Sequence, residues 1–148
     1  MAERMKIYVG VDGSEGAARA LRWALEEARA RDGELIAVMS WSYIDQHPLR
    51  GHNAFEPEYT AHTAHHALRE YVEDALGAED SKSVALDAVC DTPAHGLLSA
   101  TRDADLIVVG SRGLGGFKEL VLGSVAHQMT MHAACPVVVA PPERVAPE

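Results

Sequence analysis

The sequence predicts an α/β protein with a doubly wound parallel sheet. Three observations predict it. Four short apolar runs, IYVGV (7–11), LIAVM (35–39), LIVVG (106–110) and PVVVA (136–140), are β-branched and nearly continuous. That composition suits strands covered on both faces. Helical periodicity fills the gaps between the runs, and the resulting β-α-β-α-β-α-β-α-β order is that of a doubly wound sheet. The chain has 148 residues, the length of one ordinary domain, with 47% apolar residues to build a core. A single domain over 1–148, its core about 5–141, is expected.

Each element follows in order. IYVGV is the first strand. From Ser14 to Arg31, Ala17, Leu21, Ala24, Leu25 and Ala28 form one stripe, with Arg19, Arg22, Glu26 and Glu27 mainly off it. LIAVM is the second strand. Residues 42–57 are polar, carry two prolines and read as a long loop. From about Glu58 to Leu76, Ala61, Ala64, Leu68, Tyr71, Val72 and Ala75 repeat the helical stripe. SVALDAVC (83–90) alternates, with Val84, Leu86 and Ala88 opposite Asp87, as an edge strand does. Pro93 opens a third helix at its first turn, with Ala94, Leu97 and Leu98 inward. After LIVVG, Ser124 caps a fourth helix running to about Ala134, which the approach to Pro136 ends. PVVVA closes the sheet, and the tail PPERVAPE is expected to fray.

Bulk properties exclude several functions. A formal charge of −9 opposes nucleic acid and anionic lipid as partners. MAERMKIYVGV has no apolar run of signal-peptide type, and no stretch reaches the roughly 20 apolar residues of a membrane helix. A cytoplasmic location is expected. Cys90 and Cys135 make neither a disulfide framework nor a zinc pattern and read as buried thiols.

GSRGLGGFKELVLGS (110–124) concentrates five glycines in fifteen residues and ends in Gly-Ser before a helix. Ligands of open α/β sheets bind beyond the carboxyl ends of the strands, where this loop lies. Glycine lets the backbone approach a ligand closely, and exposed amides at a helix start favour phosphate. Arg112 and Lys118 against Glu119 give the loop a net +1 on a chain of −9. Yet no GxxxxGK[ST] occurs, and Lys118 breaks the GxGxxG pattern. A plain surface loop is the alternative.

Gly110-x2-Gly113-x9-Gly123-Ser124 resembles the G-x2-G-x9-G-[ST] signature of the ATP-binding branch of the universal stress protein family. VGVDGSEGAARALRWALEEA, TPAHGLLSATRDADLIVVGSRGLGGF, LGSV and HAACPVVVAPPE match further family segments in order, over nearly the whole chain. The resemblance implies a Rossmann-like, adenine-nucleotide-hydrolase-like fold: five parallel strands in the order 3-2-1-4-5, dimeric through the last strand, here residues 136–140. It implies an ATP site with Mg²⁺ carried by the nucleotide. Asp12, with Gly10 beside it, would lie near the adenosine, and Val38 would give backbone contacts to adenine. Gly110, Ser111, Arg112, Gly113, Gly115 and Gly116 would wrap the ribose and phosphates. Gly123, Ser124 and Val125 would offer amides, and Ser124 its hydroxyl, to the phosphates. The chain departs from the family at CDTPA, where glycine is usual; Asp91 and Thr92 would rim the pocket.

Alternatives remain for single residues. Asp12 also reads as a turn carboxylate or cap, and Arg112 and Lys118 as solvated cations. His62 and His66 are spaced as a metal pair, yet with His65 they lie on the polar side of their helix and nothing completes a ligand set. His127 and His132 read as structural, and Met129 and Met131 as local packing. No nucleophile–base pair argues for a dedicated enzyme, although slow ATP turnover by positioning is compatible with the loop. Two rival functions stand beside a nucleotide-responsive stress regulator: a nucleotide-free interaction module, and a flavin mononucleotide carrier. The carrier reading suffers from the lack of a Ser/Thr-rich phosphate loop in VDGSEG and from 5% aromatic residues.

Overall fold

A computed structural model describes residues 3–42, 61–112 and 122–141. Five strands, β1 (Lys6–Gly10), β2 (Glu34–Trp41), β3 (Val84–Cys90), β4 (Leu106–Gly110) and β5 (Val137–Ala140), form one sheet. All four pairings are parallel and the order is β3-β2-β1-β4-β5. The helices are α1 (Glu15–Ala30), α2 (Ala61–Leu76), α3 (Ala78–Ser81), α4 (Pro93–Ala100) and α5 (Ser124–His132).

Strand alternation sorts the core into two layers. Ile7, Val9, Leu35, Met39 and Val108 meet Leu21, Ala24, Leu68 and Val72 on the α1/α2 side. Tyr8, Ile36, Val38, Ile107 and Val109 meet Leu97, Ala126 and Met129 on the α4/α5 side. Burying one such aliphatic side chain stabilises the fold by about 1.5–3 kcal/mol. The whole predicted α1 stripe is buried. In α2 the stripe holds at Ala64, Leu68 and Val72, while Ala61 at the helix start is exposed.

The chain winds from β1 outward to β3 on one side, then crosses back to β4 and β5 on the other. The strand order therefore reverses beside β1, and a crevice forms between the carboxyl ends of β1 and β4.

Several expectations need correction. Helix α3 was not expected: its four residues, AEDS, follow Gly77 at φ +90° and carry no apolar stripe. Gly123, extended at φ −69° and ψ 164°, occupies the N-cap of α5; Ser124 is its first helical residue. Cys90 is exposed at the end of an edge strand, and Cys135 is only half-buried. Met129 is a core residue, whereas Met131 is 65% exposed. His127 and His132 are both exposed, which removes the structural reading. Of the two tryptophans, Trp41 is buried in the α1/α2 layer and Trp23 lies partly exposed on α1. The loop at 42–57, apart from Ser42, lies outside the described residues.

Candidate functional site

The crevice starts where β1 ends. Val11 still donates its N–H to the Val38 carbonyl at 2.9 Å, but the chain then leaves the sheet. Asp12 Oδ1 accepts from Ser14 N at 2.9 Å, closing a tight turn around Gly13. Gly13 sits at φ +87°, a left-handed conformation that a side chain disfavours. Ser14 then caps α1: its Oγ accepts from Ala17 N at 3.1 Å. From α2, Tyr71 OH donates to the Ser14 carbonyl at 2.8 Å and fixes the turn from behind. Burial first, then the Asp12 and Glu15 carboxylates, push the Tyr71 phenol well above its usual range, so it stays a donor.

The second wall is the end of β4. A Cβ on Gly110 would lie 2.9 Å from the Gly16 carbonyl carbon, and one on Gly16 would lie 3.0 Å from the Arg112 oxygen. Two residues without side chains thus let the first turn of α1 rest directly on the strand end. Ser111, buried, donates its N–H to the Ala140 carbonyl at 2.9 Å. Its own carbonyl accepts the Gly123 N–H at 2.6 Å. That bond closes the glycine loop at its base and brings the start of α5 against β4. Helix geometry leaves the first-turn amides of Ser124, Val125 and Ala126 without an acceptor in a preceding turn. The dipole adds partial positive charge at the same place, so the arrangement is suited to an anion.

The structure thus places Asp12, Gly110, Ser111, Arg112, Gly123, Ser124 and Val125 at the carboxyl ends of β1 and β4. Arg112 and Ser124 are exposed there. Of the amides expected from the helix start, the Gly123 one is engaged within the chain. Gly113, Gly115, Gly116 and Lys118 lie outside the described residues. Gly10 lies inside the sheet, and a Cβ there would fall 2.7 Å from Leu97 Cδ2, so its smallness admits the α4 side chain.

Val38 is 1% exposed and its carbonyl already accepts the Val11 N–H inside the sheet, which leaves it little opportunity to contact a ligand. The residue with that opportunity is Ser40, which sequence reasoning missed. Trp41 turns its carbonyl to β3, accepting Asp91 N at 2.8 Å. By alternation Ser40 directs its main chain toward the space beyond β1. Strand β2 runs three residues past Val38, its last β1 partner; the run LIAVM stops at Met39 and hides that extension.

Helix α4 bounds the crevice on the far side of β2. Asp91 Oδ2 meets His95 Nδ1, and Asp91 Oδ1 accepts Thr92 N at 2.7 Å. The His95 contact, then the Thr92 amide, hold the Asp91 carboxyl below its usual range. The rim expected at Asp91 and Thr92 is thus a helix start whose Asp91 carboxylate is held by His95 and the Thr92 amide. Elsewhere, His66 pairs with Glu70 at 3.3 Å, and no metal-ligating cluster of three or more residues occurs among the described residues. No helix among them is long and apolar enough to cross a membrane.

Comparison with known proteins agrees with this fold. The model of the universal stress protein family matches residues 3–141. Universal stress protein Rv2623 of Mycobacterium tuberculosis is 32% identical over 138 residues, covering 93% of this chain and 46% of that protein. The chain therefore spans about half the length of such curated relatives. Universal stress protein YxiE of Bacillus subtilis is 31% identical over 144 residues, covering 90% of this chain and 97% of that one. A solved universal stress protein of Archaeoglobus fulgidus in complex with dAMP is 25% identical, with a TM-score of 0.59 over 93% of this chain and 98% of its own.

Proposed function

Because the chain belongs to the universal stress protein family, we propose that it is a cytoplasmic, nucleotide-responsive regulator that binds ATP in the β1/β4 crevice. The observation that carries this reading is the bond from Gly123 N to the Ser111 carbonyl. It holds the start of α5 at the carboxyl end of β4, the strand next to β1 where the strand order reverses, which supports a phosphate site there. The triphosphate lies against Ser124, Val125 and the glycine loop, with the Ser124 hydroxyl and Arg112 as further donors. The adenosine lies toward Asp12 and the Ser40 main chain. A dAMP complex of a family member supports adenine as the base. Mg²⁺ travels with the nucleotide, held mainly by phosphate and water oxygens.

The regulator acts as a homodimer through β5. Among the described residues that strand bonds β4 on one side only. Pro136 and Ala140 turn their carbonyls to Ile107 and Ser111 of the β4 side, so Val137 and Val139 direct their main chains outward. A second copy pairs there about a two-fold axis.

Calorimetry with Mg-ATP tests the site. Wild-type protein gives a saturable isotherm, and Gly123→Val gives none while its circular dichroism is unchanged. Valine fits the extended backbone at 123 and keeps the amide bonded to Ser111, so only the approach to α5 is blocked. Equal affinity in the variant, or no binding by wild type at millimolar ATP, refutes the reading.

A further inference from the structure

Among the described residues the sheet has a second open edge, β3, apart from the proposed nucleotide site and the proposed β5 contact. All seven residues of β3 are in register with β2, and no strand lies beyond it among the described residues. Asp91 N bonds the Trp41 carbonyl, so odd-numbered residues of this strand face β2. Leu86 and Ala88 therefore present their N–H and C=O groups outward. Exposed edges of this kind are commonly blunted by charge or proline. In β3 the one charged residue is Asp87, on the α4 side, and there is no proline.

Beside this edge, on the α2 side, runs an open cleft of about 390 Å³. Its floor is Val72, Val84 and Leu86, and its rim carries His65, Arg69, Lys82 and a single acid, Glu73. Arg69 has no ion-pair partner among the described residues. Lys82 meets only the highly exposed Glu79, at 3.1 Å. With Lys82 already matched by Glu79, Arg69 is the rim cation without an ion pair among the described residues, and on a chain of −9 it favours an acidic occupant.

We infer that β3 and this cleft dock an extended acidic segment of a partner protein, which adds to the sheet as a sixth strand. Its main chain pairs with Leu86 and Ala88. Its alternate side chains, falling on the α2 face, bring carboxylates to Arg69 and Lys82. Main-chain pairing supplies affinity and the alternate positions supply selectivity. The inference is independent of nucleotide binding.

The test uses the full chain and a labelled peptide with glutamate at alternate positions, against one of equal composition with its glutamates in a block. Fluorescence anisotropy shows binding of the alternating peptide. Reversing Arg69→Glu together with Lys82→Glu weakens it roughly tenfold, the worth of two partly exposed ion pairs. Bound peptide slows amide exchange at Leu86 and Ala88. Ala88→Pro, which removes an outward N–H and leaves the β2 bonds, abolishes binding; if that variant misfolds, the charge reversal and the exchange map decide. Equal affinity for the block peptide, protection at β5 instead of β3, or two copies of this chain joined through β3 would each overturn the inference.

Discussion

Tyr8 shows how much one residue is set by contacts the sequence hides. It is 8% exposed in the α4/α5 layer, and its OH donates to Asp103 Oδ1 at 2.7 Å. Lys6 Nζ reaches the other oxygen of the same carboxylate, also at 2.7 Å. Burial first, then Asp103, push the Tyr8 phenol up to about 12. Asp103 likewise raises the Lys6 ammonium, and Lys6 and Tyr8 hold Asp103 low. Both raised groups favour the protonated form in the folded state. Their stabilisation is full below the unfolded value, 10.0 for tyrosine, and fades as pH climbs through the folded one, about 12 for Tyr8. Urea unfolding across that window is expected to show falling stability, with a shallower fall in Tyr8→Phe. An equal slope in the variant would assign the loss elsewhere. Sequence reading found Tyr8 as part of an apolar run; a partner 95 residues away leaves no local signal.

At the scale of elements, β5 provides the clean test of the proposed dimer. Val139→Pro removes an outward N–H and keeps the bonds to β4. It is expected to leave a folded monomer by sedimentation, whereas Val138→Pro, on the inward register, disrupts the sheet as well. A Val139→Pro dimer would place the contact on another surface. Most elements were legible because burial on two faces leaves long β-branched runs and helices leave a 3.6-residue stripe. The start of α5 was not: both Gly123 and Ser124 suit a cap, and only the bond to Ser111 decides between them. The proposed site drew its sequence signal from the glycine loop and from Asp12, whose residue types are specific. It was illegible at Ser40, because main-chain direction depends on how far a neighbouring strand runs. Cys90 misled for the same reason: a thiol resembles a core residue until the strand carrying it ends the sheet.

For the whole molecule, net charge governs association. Two chains of −9 repel at long range, and VVVA carries no charge to offset this. The screening length falls from about 30 Å at 0.01 M salt to about 10 Å at 0.1 M. Sedimentation equilibrium is therefore expected to show a tighter dimer as sodium chloride rises over that range. A dimer loosened by salt would point to interchain ion pairs instead of strand pairing. The placement of the tryptophans has a further consequence. Trp41 is enclosed where β2 reaches the crevice, while Trp23 stands one helical turn from Arg19, whose guanidinium reaches the Pro141 carbonyl past the end of β5. The unlabelled molecule thus carries two tryptophan fluorophores, one shielded from aqueous quenchers and one partly open to them.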